Sequence, residues 1–540
     1  MDHIITLRTL IDKYCKSKKF LYVCFIDFEK CFDTIWRNGM LYKLINRGIS
    51  GKLYEILKDM YSNVIMSVNL SSGVTDSFVT EIGLKQGCVL SPLLFKIFTD
   101  DLPSIFDNTC DGCTLYNSDS ISCLMYADDL VIISSSKTGL QNGLNKLHSY
   151  CQKWKLRVNI KKSNAIIFNK SGKFLKNVKF KYGNENLDTV KEYSYLGIVF
   201  TTSGSFSAAI ESLCNKSQKA IFTIIKSNYR IISLKSLLKI FDCVIKPILL
   251  YGAEVYGCGL VKLDKLYLKT NDTKVFENNK LEKVCNKFYR FILGVHSKAS
   301  NIGIKGELGR YPVLIDSIAS NIRYWNKIVT ERDKNSIVYN CYLYNFEVDQ
   351  SGGNSWVTPI RTLHEKLNLN SLWENHGTIQ IKRVVDYIKQ QLHHLYEFTW
   401  NNELYGHENN KLRFYRKYKK DFKQEDYFSY NSNFAQRCNL TKLRISAHSL
   451  AIEKGRYQGL TIEQRTCRSC PTEIEDEKHF LLHCPMYNDI RNDLCSQIES
   501  VNPHFNNLNE NEKLKLLIDP KEKTYFYAIL KFLDKAFELR

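Results

Sequence analysis

Residues 20–26 read FLYVCFI, an apolar run without polar interruption, and the next residue is Asp27. A strand apolar on both faces belongs at the centre of a sheet that is covered on both sides. Such a strand has no structural use for a carboxylate at its end, because a charge taken from water without a partner is costly. A second apolar pair flanks Asp128 and Asp129 in CLMYADDLVIISSS (123–136), which predicts a hairpin with two adjacent aspartates at its tip. Adjacent carboxylates repel each other, so something cationic should compensate them. Two readings of the pair stand at this point. A polar β-turn accounts for it without function. A hard divalent cation such as Mg²⁺, held by carboxylates and shared with phosphates, accounts for all three acids together.

Around these strands the chain alternates strands and helices over about 1–204. A helical segment is expected over 34–60, a helix capped by Ser91 with Pro92 in its first turn, and an amphipathic helix over 139–154. Strands follow in IKKSNAIIF and YSYLGIVF. The pattern turns helical over 205–300 and stays mostly helical over 301–460, with an exposed loop at DQSGGNS (349–355). A compact Cys/His cluster and a last helix occupy 461–540. No period of 20–50 residues repeats, which excludes solenoids and propellers.

Composition narrows the partners. The 540 residues are 44% hydrophobic and 24% charged, a globular balance. Lys and Arg number 76 against 56 Asp and Glu, a net charge of +20 that suggests an acidic partner, most simply nucleic acid or an anionic membrane. The longest apolar runs fall far short of the roughly 20 residues of a membrane span, so no membrane is expected. The 18 irregularly spaced cysteines read as reduced thiols in an intracellular compartment, nuclear or cytoplasmic. Two basic stretches stand out: 151–182, with ten Lys or Arg and no acid, and KLRFYRKYKKDFK (411–423), with seven. In the second, Phe414, Tyr415, Tyr418 and Phe422 either stack on bases of a single strand or point into the core from a solvated face.

Five segments follow one another at compact spacing: FIDFEKCFD (25–33), GLKQGCVLSPLLF (83–95), YADDL (126–130), NIKKSNAIIF (159–168) and YLGIVF (195–200). Together they resemble the palm motifs of reverse transcriptases of non-LTR (LINE-like) retrotransposons. The resemblance implies an α+β palm with an antiparallel sheet core over 1–204, a helical thumb over 205–300 and a connector over 301–460. It implies Asp27 and Asp128 as principal metal ligands, with Asp129 completing the site. Phe32 would lie under the incoming sugar as a steric gate, Gln86 and Gly87 over the nucleotide and template base, and Lys162 against the triphosphate. YLGIVF would grip the primer. Cys31 stands where the family commonly has alanine and is small enough to be tolerated.

A second constellation is Cys467-x2-Cys470-x8-His479-x4-Cys484, the spacing of a tetrahedral Zn²⁺ site. His483 competes with His479 as a ligand, and cysteines packed as small hydrophobes are the reading without metal. The cluster is similar to the CCHC module near the carboxyl end of many non-LTR polymerases. Residues 461–500 carry eight acids against four Lys or Arg, so zinc here would fix a fold without making a basic grip.

The expected reaction is RNA-templated extension of a DNA primer with deoxynucleoside triphosphates, by two-metal transfer with Mg²⁺ or Mn²⁺. Asp27 lies 26 residues from the start, so the resemblance implies that most of the fingers preceding the palm are not encoded here, as expected of a 5′-truncated element or an incomplete gene model. The alternatives are a catalytically dead relict or co-opted RNA- or DNA-binding protein, and a zinc-stabilised scaffold. No feature of the sequence sets an oligomeric state.

Overall fold

The computed structural model describes residues 1–107, 111–115, 120–227, 229–261, 273–375, 381–406 and 410–540. The chain divides into two compact units, Met1–Ala209 with Lys327–Thr358, and Ile210–Asn326 with Pro359–Arg540.

The first unit begins with α1 (Asp2–Lys16), which leads into β1 (Leu21–Ile26). The expected helix over 34–60 is two helices, α2 (Arg37–Asn46) and α3 (Gly51–Tyr61). Gly48 and Gly51 take φ of +83° and +65° between them, left-handed values that end one helix and re-aim the next. Two small hairpins follow, β2 (Val64–Met66) with β5 (Phe78–Thr80) and, inside it, β3 (Asn69–Leu70) with β4 (Gly73–Val74). In α4 (Ser91–Thr99) Pro92 occupies the first turn as expected, but Ser91 lies inside the helix and does not cap it. Its hydroxyl donates to the Lys85 carbonyl at 2.6 Å instead, tying the preceding loop down.

The aspartate-bearing hairpin is β6 (Cys123–Tyr126) and β7 (Asp129–Ser134), and α5 (Lys137–Trp154) follows it. Then come β8 (Asn164–Phe168), β9 (Phe180–Tyr182), β10 (Glu185–Thr189), and the ribbon β11 (Glu192–Tyr195) with β12 (Ile198–Thr201). The main sheet runs β6-β7-β1-β8-β10-β9, with β1 inside it as its apolar sequence requires. Its pairings are antiparallel except β8 with β10, which is parallel, so the expected antiparallel core holds with one exception.

Register sorts the side chains onto two faces. Cys24 and Ile26 share one with their neighbours Ile132, Leu130 and Ala165, against the apolar stripes of α4 and α5, including Phe95, Leu144 and Trp154. Val23 and Phe25 share the other, where Phe25 stacks on Tyr193 at 4.5 Å and meets Tyr195 at 5.4 Å. Each fully buried residue of this kind contributes about 1.5–3 kcal/mol of burial. The helix Ile337–Gln350 belongs to this unit because it packs on α1, where Asn345 donates to the Thr9 hydroxyl at 3.0 Å.

The second unit is almost wholly helical, and buried charges hold it. Lys305, fully buried, places its ammonium 2.7 Å from both Glu277 and Glu282. Arg444, equally buried, pairs with Glu307 at 3.0 Å and Glu425 at 2.6 Å. The rings of the basic-aromatic segment 411–423 point into this interior while Lys417, Lys420 and Lys423 stay exposed, which corrects the base-stacking reading and leaves the core reading. Phe414, Tyr415 and Tyr418 are buried, and Phe422 packs against Tyr311, Tyr396 and Trp400. Rings of that size contribute more as core than on the surface, and Lys419 accompanies them inward to pair with Glu425. Among the described residues no helix is long and apolar enough to cross a membrane.

Candidate active site and metal centre

Asp27 is the first residue beyond β1. The pairing of Ile26 with Leu130, continued by one residue, sets Asp27 opposite Asp129. The turn before β8 pins the Asp27 backbone on both sides: its N–H donates to Ser163 Oγ at 3.0 Å, and its carbonyl accepts from the Asn159 N–H at 2.8 Å. Lys162 is exposed on that same turn, and its carbonyl accepts from the Tyr193 hydroxyl at 3.3 Å. At the hairpin tip Ala127 takes φ of +54°, unusual for a residue with a Cβ, and this sharp turn presents Asp128. The Cys31 thiol donates to Asp128 Oδ2 at 3.3 Å.

All three aspartates are half-buried. Burial, then the charges of Asp128 and Asp27, push the Asp129 carboxyl above the usual carboxylate range. The same field reaches the surroundings. Burial and then Asp128 push the Cys31 thiol up to about 12, and burial with Asp27 and Asp129 pushes the Tyr193 hydroxyl up to about 12. The charges that raise Asp129 are those of its two neighbouring carboxylates, and among the described residues none of the three aspartates forms a salt bridge with a Lys or Arg. That donor set, oxygen-only and anionic, fits a hard divalent cation such as Mg²⁺ or Mn²⁺.

The loop expected over the nucleotide docks on the segment after β1. Leu84 N–H donates to the Phe32 carbonyl at 2.7 Å and Gly83 N–H to the Ile35 carbonyl at 2.9 Å. Gly83 has φ of +85°, and a Cβ there would lie 2.5 Å from the Asp33 carbonyl oxygen, so only glycine allows this approach. Gln86 donates to Asp33 Oδ1 at 2.7 Å, and Gly87, at φ +80°, has open space where a Cβ would point. Phe32 is half-buried and stacks on Phe95 at 4.8 Å, which fixes its ring. The structure thus gathers Asp27, Asp128 and Asp129 at adjoining strand ends, with Lys162 on a turn bonded to Asp27. Gln86 and Phe32 lie on the neighbouring loop pair. Ser163, Asn159 and the contact of Cys31 with Asp128 were not legible as parts of the site, because each depends on strands brought together from distant sequence.

A family model described as reverse transcriptase (RNA-dependent DNA polymerase) matches residues 2–200. Residues 2–200 are a reverse-transcriptase domain of the non-LTR retrotransposon type. Over 253 residues, 45% of this chain and 26% of the relative, it is 28% identical to the RNA-directed DNA polymerase from mobile element jockey of Drosophila funebris. It is 25% identical to the probable RNA-directed DNA polymerase from transposon BS of Drosophila melanogaster, over 45% of this chain and 27% of that one. The Pol polyprotein of the R2 element of Popillia japonica matches at 25% identity over 52% of this chain and 45% of its own length. The matched part of the chain thus spans about a quarter of the first of these relatives. Telomerase from Candida tropicalis shows a slight structural likeness, at 14% identity and a TM-score of 0.30, over 72% of this chain and 55% of that one. The reverse-transcriptase domain carries the carboxylates described above at the ends of its central strands.

In the second unit the Cys/His cluster is assembled. One ligand atom from each of Cys467, Cys470, His479 and Cys484 lies within 4.8 Å of all the others. Zn–S bonds near 2.3 Å place the sulfurs of a tetrahedral site about 3.8 Å apart. Cys467 Sγ and Cys484 Sγ are 3.8 Å apart. His479 Nε2 is buried without a hydrogen-bond partner, a costly arrangement unless something else accepts its lone pair. Burial lowers the affinity of His479 for a proton, favouring the neutral, ligating ring. The competing His483 is largely exposed and directs Nε2 to Glu510 at 3.2 Å. The residues fit zinc, with His479 as the nitrogen donor.

Proposed function

We propose that the chain extends a DNA 3′ end on an RNA template, adding deoxynucleotides by two-metal nucleotidyl transfer. The observation that carries the reading is the set of uncompensated carboxylates, Asp27, Asp128 and Asp129, at the strand ends of a reverse-transcriptase domain. Bound Mg²⁺ would supply Lewis acidity for the attacking 3′ hydroxyl and the leaving pyrophosphate. Asp27 and Asp128 would hold the metal and Asp129 would complete its anionic shell. Lys162, on the turn bonded to Asp27, offers a proton and a positive charge to the pyrophosphate. The ring of Phe32, fixed by Phe95, closes the sugar side against a 2′ hydroxyl. Gln86 and the bare backbone of Gly87 cover the nucleotide and its template base. Cys467, Cys470, His479 and Cys484 would hold Zn²⁺, which would fix the tail module as a small zinc knuckle.

Primer extension on an RNA template with a DNA primer and Mg²⁺ or Mn²⁺ tests this. Extension should occur, and Asp128→Asn should lower it at least about 100-fold, beyond the 10–100-fold typical of groups that only support a metal ligand. Binding of the primer–template without extension, unchanged in the variant, would refute polymerisation and leave a nucleic-acid-binding protein.

A further inference from the structure

The second unit contains a cavity of about 520 Å³, within the size range of small-ligand sites, whose wall is cationic. Lys298 enters from the turn after the helix Lys280–Ile292, Lys442 from the helix Phe434–Arg444, and Lys454 from the helix Ala451–Tyr457. A fourth, Lys411, reaches the rim and donates to the Lys298 carbonyl at 2.6 Å and the Tyr457 hydroxyl at 3.1 Å. Among the described residues none of the four ammonium groups has a carboxylate partner.

Four acids of the adjoining segments are engaged with other partners. Glu477 takes His448 at 3.0 Å and Arg413 at 2.8 Å, and is held at about 2 because these contacts outweigh its burial. Glu453 takes Arg413 at 2.7 Å, Asp534 accepts from Asn439 at 3.1 Å, and Glu475 takes Arg540. No carboxylate is among the residues lining the cavity, so its lysines leave it positive. Tyr457, half exposed at 49%, adds an aromatic face. Lys298 lies 4.9 Å and Lys411 5.8 Å from its ring centre, and His296 meets it edge-on at 6.3 Å. Cations held beside an exposed ring match a phosphate next to a base that can stack.

We propose that this cavity binds single-stranded nucleic acid, seating a backbone phosphate among Lys298, Lys442 and Lys454 and stacking the adjoining base on Tyr457. Phosphate and base face are shared by RNA and DNA, so either strand fits. The inference rests on the proposed polymerase reading only for its biological setting, since it concerns residues outside the reverse-transcriptase domain.

The test is fluorescence anisotropy of the full chain with labelled oligouridylate and oligothymidylate across a salt series. Double charge reversal, Lys442→Glu with Lys454→Glu, should weaken binding at least about 10-fold and flatten the salt slope by roughly two counterions. Tyr457→Ala should weaken binding about 5- to 100-fold and Tyr457→Phe should restore it, since stacking needs the ring and not the hydroxyl. Unchanged affinity and slope in the charge-reversed protein would overturn the proposal. Photocrosslinking of wild-type protein to thiouridine-bearing strands, mapped by peptide, gives a readout independent of variant folding: adducts should fall on the Tyr457 peptide, and adducts confined elsewhere would refute the site. The tighter of the two oligonucleotides assigns the site to template or to DNA. Charge-dependent binding in a protein that extends no primer would keep this inference and reject polymerisation. Extension with binding indifferent to these residues would do the reverse.

Discussion

The two units handle charge in opposite ways. In the second, Lys305 and Arg444 are fully buried and each is met by two carboxylates at hydrogen-bonding distance. In the first, Asp27, Asp128 and Asp129 are only half-buried, yet among the described residues none of them forms a salt bridge with a Lys or Arg. Buried charge must be paired to be tolerated, so the pairs of the second unit belong to its folding. Charge left unpaired where water could be excluded marks a place that awaits a ligand. Degree of burial alone would have ranked these groups the wrong way round for function.

The largest expected effect separates the two cases directly. Lys305→Met leaves Glu277 and Glu282 buried against each other and should cost about 3–5 kcal/mol in urea unfolding. Asp27→Asn, by contrast, should leave the unfolding midpoint unchanged or raise it while abolishing extension. Equal destabilisation by both would break the comparison and make Asp27 a structural group.

Zinc comes next. Purified protein should carry one Zn²⁺ by metal analysis, and chelation should lower the melting temperature of the second unit. His479→Ala should lose the metal and His483→Ala keep it; the opposite result would move the nitrogen donor to the exposed ring.

A smaller effect concerns pH. The Asp129 carboxyl is raised in the folded state, so between the ordinary aspartate range and that raised value the folded protein binds more protons than the unfolded one. Its contribution to the stability of the metal-free protein therefore falls as pH rises through that window. Asp129→Asn should raise the metal-free melting temperature at neutral pH, and the gain should vanish on acidification below the ordinary aspartate range. Added Mg²⁺ should reverse the order, because it stabilises the charged form. The least effect is expected at Cys31. Cys31→Ala removes one thiol contact to Asp128 and should change extension only a few-fold. A loss as large as that of Asp128→Asn would make the thiol a positioning group for the carboxylate.

Much of the first unit was legible because its signals are local. A short unbroken apolar run reads as an inner strand, and the ADD tip between two apolar segments reads as a hairpin. The Cys/His spacing was legible for the same reason, within 18 residues. The helix over 34–60 was misjudged because two glycines in left-handed conformation interrupt a periodicity that otherwise continues. The 411–423 segment could not be resolved from its composition: the same rings and lysines describe a binding face or an interior. Burial decided it, and the unpaired lysines proved to converge instead around Tyr457, from helices that no sequence pattern joins.

By itself the sequence determined which residues could do chemistry: carboxylates at strand ends, a glycine-bearing loop, four soft ligands at zinc spacing. Side-chain type and short-range spacing are properties of the chain alone. Only the tertiary structure decided which of them meet and which are already spent. Register set Asp27 against Asp129 and a turn 136 residues downstream pinned it, since Asp27 bonds to Ser163. Lys305 and Lys419 were used up in the core while Lys442 and Lys454 were left facing a cavity. The physical reason is that a charge acquires its role from its neighbours and from its distance to water, and both are fixed by packing between segments far apart in sequence.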